Sequence, residues 1–203
     1  MKDVILASSS PRRKELLNFL QIPFQSVPSN IDETIEPGTS AAEAVKDLAY
    51  RKAAEISGNY QDHCIIGSDT VVCLNGEILG KPTGREDAKR MLQDLSGSTH
   101  TVHTGVAIMH GTRSTVFSES TEVVFWELSD DEIENYLDSG EPFDKAGSYG
   151  IQGFGSLLVK EIHGDYFTVV GLPVSRLARE LKAFQKKIDN IEHFFRFPDN
   201  LPS

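Results

Sequence analysis

Near its N-terminus the chain reads Val4-Ile5-Leu6-Ala7-Ser8-Ser9-Ser10-Pro11-Arg12-Arg13-Lys14, a strand-to-helix junction on which the architecture depends. The apolar part predicts a short buried strand, and Pro11 suits the first position of a helix, where a missing N–H has no consequence. The junction therefore collects hydroxyl side chains, free backbone N–H groups and three cations. Because cations oppose the dipole at a helix N-terminus, the pattern favours an anion site, such as one for phosphate, over a merely capped helix with a basic first turn.

Composition sets broad limits on the class of protein. The chain has 203 residues, of which 39% are hydrophobic and 25% charged, as in an ordinary globular protein. Its net charge of −10 argues against broad binding of nucleic acid or of anionic membranes. We expect no transmembrane helix and no signal peptide, and we interpret Cys64 and Cys73 as buried, reduced thiols of a cytoplasmic protein.

The order of predicted elements indicates an α/β protein with a mixed sheet. Strands are predicted at 3–7, 24–28, 63–74, 99–109, 115–127 and 156–162, with the fourth and fifth joined as a hairpin. Helices are predicted at 11–21 and from Pro173 to about Ile188, and three more begin at the capping boxes Ser40-Ala41-Ala42-Glu43, Thr83-Gly84-Arg85-Glu86 and Ser129-Asp130-Asp131-Glu132. Residues 140–155 form a glycine-rich loop. We expect one domain over 1–188 and a tail over 189–203 that either frays or docks on a partner.

Asp69 is the strongest single candidate for chemistry. It stands between the apolar runs Cys64-Ile65-Ile66-Gly67-Ser68 and Thr70-Val71-Val72. A buried carboxylate is strongly disfavoured unless a cation, a metal or hydrogen bonds hold it. The alternative is a turn aspartate satisfied by backbone N–H groups.

Two lysines are candidates for binding phosphate. Lys52 continues the apolar stripe of Ala41, Val45 and Leu48, so its ammonium either reaches outward to solvent or points at a ligand. Lys81 lies between Gly80 and Pro82, a stiff setting that suits a fixed point charge.

Two further segments carry polar groups suited to a ligand. Asp32 and Glu33, together with Asp69, are oxygen ligands of the kind that hold a divalent cation, although exposed loop acids are commonly just solvated. Gln152 is the one amide among glycines in Gly150-Ile151-Gln152-Gly153, where it either reads a nucleobase or ribose edge or is incidental to a turn. His100 and His103 point to opposite faces of a predicted strand, so we expect no metal pair from them.

The motifs Ser8-Ser9-Ser10-Pro11-Arg12-Arg13, Gly67-Ser68-Asp69-Thr70, Gly80-Lys81-Pro82, Ser96-Gly97, Tyr149-Gly150-Ile151-Gln152-Gly153 and Gly171-Leu172-Pro173 occur in this order. In this the chain resembles the Maf family of nucleoside triphosphate pyrophosphatases, once discussed as septum-formation inhibitors. The resemblance covers about residues 3–185. It implies an elongated mixed sheet flanked by helices, with two lobes and a cleft, similar to inosine triphosphate pyrophosphatase.

The resemblance also implies roles for individual residues. Asp69 matches the general base and, with Glu33, a carboxylate that binds Mg²⁺ or Mn²⁺. Substrate-binding positions are matched by Ser8, Arg12, Arg13, Lys52, Thr70, Lys81 and Gln152. Arg12, Thr70 and Gln152 match the subgroup that prefers dTTP and UTP rather than the one acting on 7-methyl-GTP, so modified pyrimidine nucleotides are additional candidate substrates.

The expected reaction is attack of a metal-assisted water on the α-phosphorus, which gives the monophosphate and pyrophosphate. The alternative is a nucleotide-binding regulator of cell division that acts through a protein partner, with the tail as its contact. The resemblance alone suggests a homodimer.

Overall fold

The structure is a computed structural model that describes residues 4–188, so the predicted tail at 189–203 lies outside the described residues. The strands are β1 (Val4–Leu6), β2 (Phe24–Ser26), β3 (Cys64–Leu74), β4 (Glu77–Leu79), β5 (Thr99–His110), β6 (Arg113–Phe125) and β7 (Val159–His163). The helices are α1 (Pro11–Asn18), α2 (Ala41–Ser57), α3 (Arg85–Leu95), α4 (Asp130–Asp138), α5 (Tyr166–Val170) and α6 (Val174–Gln185). Over this range no helix combines the length and the apolar character that crossing a membrane requires.

Within the described residues the strands form one mixed sheet, as the sequence predicted. The order is β2-β1-β3-β5-β6-β7, with β4 also paired to β3. The β1 strand runs parallel to β2 and β3, whereas the later pairings are antiparallel. On one side, β3 pairs with β1 over Cys64–Ile66 and then with β4 over Val72–Leu74. Between these two stretches that side of the strand lies open.

The two faces of the sheet pack against different helices, because side chains alternate along a strand. Ile5 and Ile65 join α2 in one apolar cluster. Leu6 and Ile66 join α1 and α6 in another. Helices α3 and α4 cover the far end of the sheet around Phe125.

Helix α2 lies unusually close to the sheet, above two glycines on adjacent strands. A Cβ on Gly67 would stand 2.2 Å from the carbonyl oxygen of Ala49, and one on Gly105 would stand 2.1 Å from that of Val45. Both distances are far inside van der Waals contact, so no side chain larger than hydrogen fits at either position. The glycines therefore set the distance from α2 to the sheet.

Several local predictions are confirmed and others need correction. Ser40 and Ser129 cap their helices, and Ser129 forms a full capping box with Glu132. The box predicted at Thr83 is wrong, because Gly84 is the N-cap and the Thr83 hydroxyl donates to Asp87 instead.

The other corrections concern exposure and element ends. Cys64 is buried as predicted, but Cys73 is only partly buried. The glycine-rich loop contains three short 3₁₀ turns, the last at Gly153–Leu157, and this turn delays the start of β7 to Val159.

His100 lies within the apolar core, with its ring against Phe125 and Tyr149. Burial lowers the pKa of this imidazole from its ordinary 6.5 to about 4. Between pH 6.5 and about pH 4, His100 therefore binds fewer protons in the folded protein than in the unfolded chain.

We predict a pH-dependent loss of stability that originates at His100. As pH falls from 7 to 4, protonation of the unfolded chain at this residue removes about 3 kcal/mol of unfolding free energy. The measurement is urea unfolding across this pH range for the wild type and for His100→Phe. The variant is expected to lose about 3 kcal/mol less than the wild type does; parallel pH curves would contradict the assignment.

A second prediction tests the close approach of α2. Gly105→Ala is expected to lower the unfolding free energy by about 1–3 kcal/mol or more, because the new methyl group meets backbone that cannot rotate away. Gly58→Ala is the matched control. Gly58 has an ordinary helical φ of −57°, and a Cβ there meets only one oxygen, at 3.7 Å. The control should be neutral or gain about 0.4–1 kcal/mol; equal losses in both variants would refute the explanation.

Candidate functional site

A cleft of about 770 Å³ opens where β1 and β4 diverge along β3. Its floor is the middle of β3, and its walls come from the start of α1, from α2 and from the glycine-rich loop. Every residue to which the family resemblance gave a catalytic, substrate-binding or metal-binding role lines this cleft: Ser8, Arg12, Arg13, Glu33, Lys52, Asp69, Thr70, Lys81 and Gln152.

At the centre one ammonium group joins two carboxylates. Lys52 Nζ lies 2.5 Å from Asp69 Oδ1 and 2.7 Å from Glu33 Oε1. Lys52 is 7% exposed and Asp69 is 8% exposed, so the first of these pairs is buried. Lys52 therefore points inward from α2, and the buried carboxylate has the cation that the sequence analysis required.

Glu33 occupies the exposed side of this triad. Burial by itself raises the pKa of Glu33, but the hydrogen bond and charge of Lys52, with further help from Lys81 and Arg13, outweigh it and lower the pKa overall. The carboxylate is therefore charged at neutral pH. Its partial exposure leaves it open to a ligand that enters from solvent.

Arg13 lies on the other face of β3 from Lys52. Its Nε donates to the carbonyl of Gly171 at 3.0 Å, and its Nη2 donates to Thr70 Oγ1 at 3.1 Å. Burial lowers the pKa of Arg13, and the Asp69 carboxylate opposes that change. Since a guanidinium stays charged in proteins, Arg13 places a fixed positive charge beside the cleft.

The helix start that the sequence singled out is organised by its serines. Ser10 caps α1 by accepting from the Arg13 backbone N–H, while Ser8 accepts from the Ser10 backbone N–H. Arg12 faces the opposite wall, where its Nη1 lies 3.7 Å from Asp144. Lys14 does not line the cleft, so two of the three clustered cations face it.

The remaining predicted residues stand nearer the mouth. Lys81 lies 3.7 Å from Glu33 and has 62% of its side chain exposed. Gln152 is partly buried on the glycine-rich wall. Both polar side chains therefore reach solvent.

The expected set of three carboxylates is not formed. Asp32 does not line the cleft, because its carboxylate accepts hydrogen bonds from Thr34 in its own loop. Across residues 4–188 no group of three or more histidine, cysteine, aspartate or glutamate side chains is placed to hold a metal ion. Glu33 and Asp69 remain as a pair of oxygen donors.

Sequence reasoning did not single out Asp144 and Lys145, two charged residues that also line the cleft. Lys145 Nζ lies 2.6 Å from Asp144 Oδ1. Their position next to the Gly147-Ser148-Tyr149-Gly150 segment was the available signal. Chemically, the cleft offers a buried carboxylate to accept a proton and several cations to bind an anion.

Two solved structures match part of the chain. A HAM1 protein from Coxiella burnetii is 17% identical, with a TM-score of 0.46, and the match covers 62% of this chain and 73% of that one. The Ham1 protein of Staphylococcus aureus is 14% identical, with a TM-score of 0.45 and the same coverage.

Sequence relatives are much closer. A protein named dTTP/UTP pyrophosphatase in Bacillus cereus strain G9842 is 54% identical over 184 residues, which is 91% of this chain and 96% of the relative. A protein of the same name in Bacillus anthracis is 53% identical over the same shares. The family model described as Maf-like protein matches residues 3–184. The resemblance predicted from the ordered motifs is thereby confirmed, and the chain belongs to the Maf family.

Proposed function

We propose that this protein hydrolyses dTTP and UTP to the nucleoside monophosphate and pyrophosphate. The observation that carries the proposal is the buried Asp69 carboxylate, held by Lys52 in a cleft that also contains Arg12 and Arg13. A proton acceptor surrounded by fixed cations suits the attack of water on a polyphosphate. Family membership and the name shared by the Bacillus relatives support the same activity.

Asp69 acts as the general base. We assign the proton to Oδ2, because Oδ1 already accepts the hydrogen bond from Lys52. As this proton leaves, the water oxygen forms a bond to the α-phosphorus, and the bond from that phosphorus to the bridging oxygen breaks. Pyrophosphate departs with the electron pair of the broken bond.

Cations on both walls stabilise the charge that develops in this step. Arg13 holds a fixed orientation through Gly171 and Thr70, so its positive charge needs little reorganisation during the reaction. Arg12 and Lys81 are more exposed and bind the outer phosphates. Ser8 contributes at the helix start, where backbone N–H groups favour an anion.

The residues present fit a divalent cation. Glu33 and Asp69 lie close together, since both contact the Lys52 ammonium group, and one or two carboxylates with substrate phosphates are the usual ligands of Mg²⁺. Glu33 and Asp69 would hold Mg²⁺ or Mn²⁺ there. When bound, the ion neutralises phosphate charge.

Thr70 and Gln152 complete the proposed binding site in different ways. The Thr70 hydroxyl is already paired with Arg13 and Thr104, so it acts by fixing Arg13. The Gln152 amide offers both a donor and an acceptor to a pyrimidine edge. We also propose a cytoplasmic location, which agrees with the free thiols of Cys64 and Cys73.

Asp69→Asn provides the first test of this mechanism. Asparagine keeps the shape but cannot accept the proton, so kcat for dTTP is expected to fall by about 10²–10⁴-fold with the fold retained. The measurement is pyrophosphate release, together with a thermal melt. Asp32→Asn is the matched control, because Asp32 is a nearby acid that does not line the cleft, and its turnover should be unchanged. Full activity of Asp69→Asn would sink the assignment.

Arg12→Ala tests the contribution of the exposed cation. Loss of one charge-assisted hydrogen bond is expected to raise KM for dTTP about tenfold. Lys14→Ala serves as control, since Lys14 belongs to the same basic cluster but does not line the cleft. Steady-state kinetics of both variants decide the point, and an equal change in the two would show a diffuse charge effect instead.

A further inference from the structure

Several hydrogen bonds to backbone N–H groups fix the chain segment that carries Gln152. The Gly150 backbone N–H donates to the Tyr136 hydroxyl at 3.1 Å. The Glu141 carboxylate accepts from the backbone N–H groups of Phe154 and Gly155 at 3.1 and 3.3 Å. Gln152 therefore lies in a short segment with fixed ends.

Tyr149 directly precedes this segment and is itself held in place. A hydrogen bond of 2.7 Å joins its hydroxyl to His100 Nε2 on β5. Both residues are almost fully buried, with exposures of 5% for Tyr149 and 2% for His100. Their rings also pack edge-to-face with each other and with Phe125, so this pair has little freedom to move.

The buried His100–Tyr149 pair stabilises the fold less than two apolar side chains would. His100 Nδ1 is buried and has no hydrogen-bond partner among residues 4–188. A neutral imidazole has one donor and one acceptor nitrogen, so one of its groups stays unsatisfied here, which is unfavourable in an apolar core. Two apolar side chains of similar shape would fill the same space without that penalty. The hydrogen bond does, however, fix the position of the Tyr149 ring.

Only Gly150 and Ile151 separate Tyr149 from Gln152 along the chain. Tyr149 has φ −149° and ψ 160°, and Gln152 has φ −93° and ψ 165°. Ile151, between them, is anchored in the apolar cluster with α6. Because Gly150 and Ile151 are themselves held in place, the segment is short and anchored, and a change in the position of Tyr149 alters the position of the Gln152 amide.

We propose that the His100–Tyr149 hydrogen bond is a specificity-determining positioning element that sets the Gln152 amide against the pyrimidine edge of the nucleotide. Neither His100 nor Tyr149 needs to touch the base for this role. The inference rests on the proposed function, because it assumes that Gln152 reads the base.

The test compares nucleotide discrimination rather than turnover. Dissociation constants for dTTP and for dGTP are measured by calorimetry with divalent metal chelated, so that no hydrolysis occurs. The variants are His100→Phe/Tyr149→Phe, Gln152→Ala and the triple combination. Replacing both members of the polar pair keeps the core packed, and a thermal melt verifies folding; if the double variant does not fold, Tyr149→Phe alone takes its place.

The proposal expects the ratio of the dGTP to the dTTP dissociation constant to fall about fivefold in the double variant. Gln152→Ala should lower the ratio by a similar factor, and the triple variant should lower it no further, because all these changes act through one amide. Thr121→Val is the control. It removes another buried hydroxyl, which lies away from the cleft and donates to the Asp165 carbonyl at a distance of 2.9 Å. Its ratio should match that of the wild type.

Three results would overturn the inference, and they are distinguishable. In the first, the ratio of dissociation constants is unchanged in the double variant but reduced in Gln152→Ala. Gln152 then still reads the base, but the His100–Tyr149 pair does not position it. Multiplicative effects in the triple variant show that the pair and Gln152 act independently. A wild-type protein without preference for dTTP, unchanged by Gln152→Ala, removes the proposed base recognition together with the inference.

Discussion

The backbone contact between α2 and the sheet determines the position of everything else in the cleft. Gly67 and Gly105 let the helix backbone approach until their own hydrogens touch it. Lys52 and Asp69 then face each other across this narrow gap, and a buried ammonium and carboxylate meet at 2.5 Å. A wider spacing would separate the two charges and leave the buried Asp69 carboxylate without its cation, which is strongly destabilising. The glycines thus make the buried charge pair possible.

The charges in the cleft form two groups with different solvation. Lys52 and Asp69 are buried and nearly fixed, whereas Arg12, Lys81 and Glu33 remain open to water. Buried ion pairs rarely add net stability over well-packed apolar side chains, so their presence here indicates a role in chemistry. The exposed charges can exchange their partners for a ligand with a smaller loss of free energy, since surface ion pairs are individually weak.

The sequence predicted which residues come together in the cleft better than it predicted the details around them. Asp69 and Lys52 could be found because each is a charge placed within an apolar pattern, and the ordered motifs identified the family. The cap at Thr83 failed because a neighbouring glycine took the N-cap position and Asp87 captured the threonine hydroxyl. The contact of Arg13 with Gly171 and that of His100 with Tyr149 could not be predicted, because tertiary packing alone joins residues so far apart along the chain.

The hydrogen bond from Arg13 to the Gly171 carbonyl spans 158 residues of chain. During synthesis Arg13 leaves the ribosome 158 residues ahead of the carbonyl that orients its guanidinium. Contacts of such long range form slowly, because the loop must close before they contribute. A nascent or C-terminally shortened chain therefore holds its basic helix start without a complete cleft. Nucleotide chemistry in this fold begins only once Gly171 has left the ribosome.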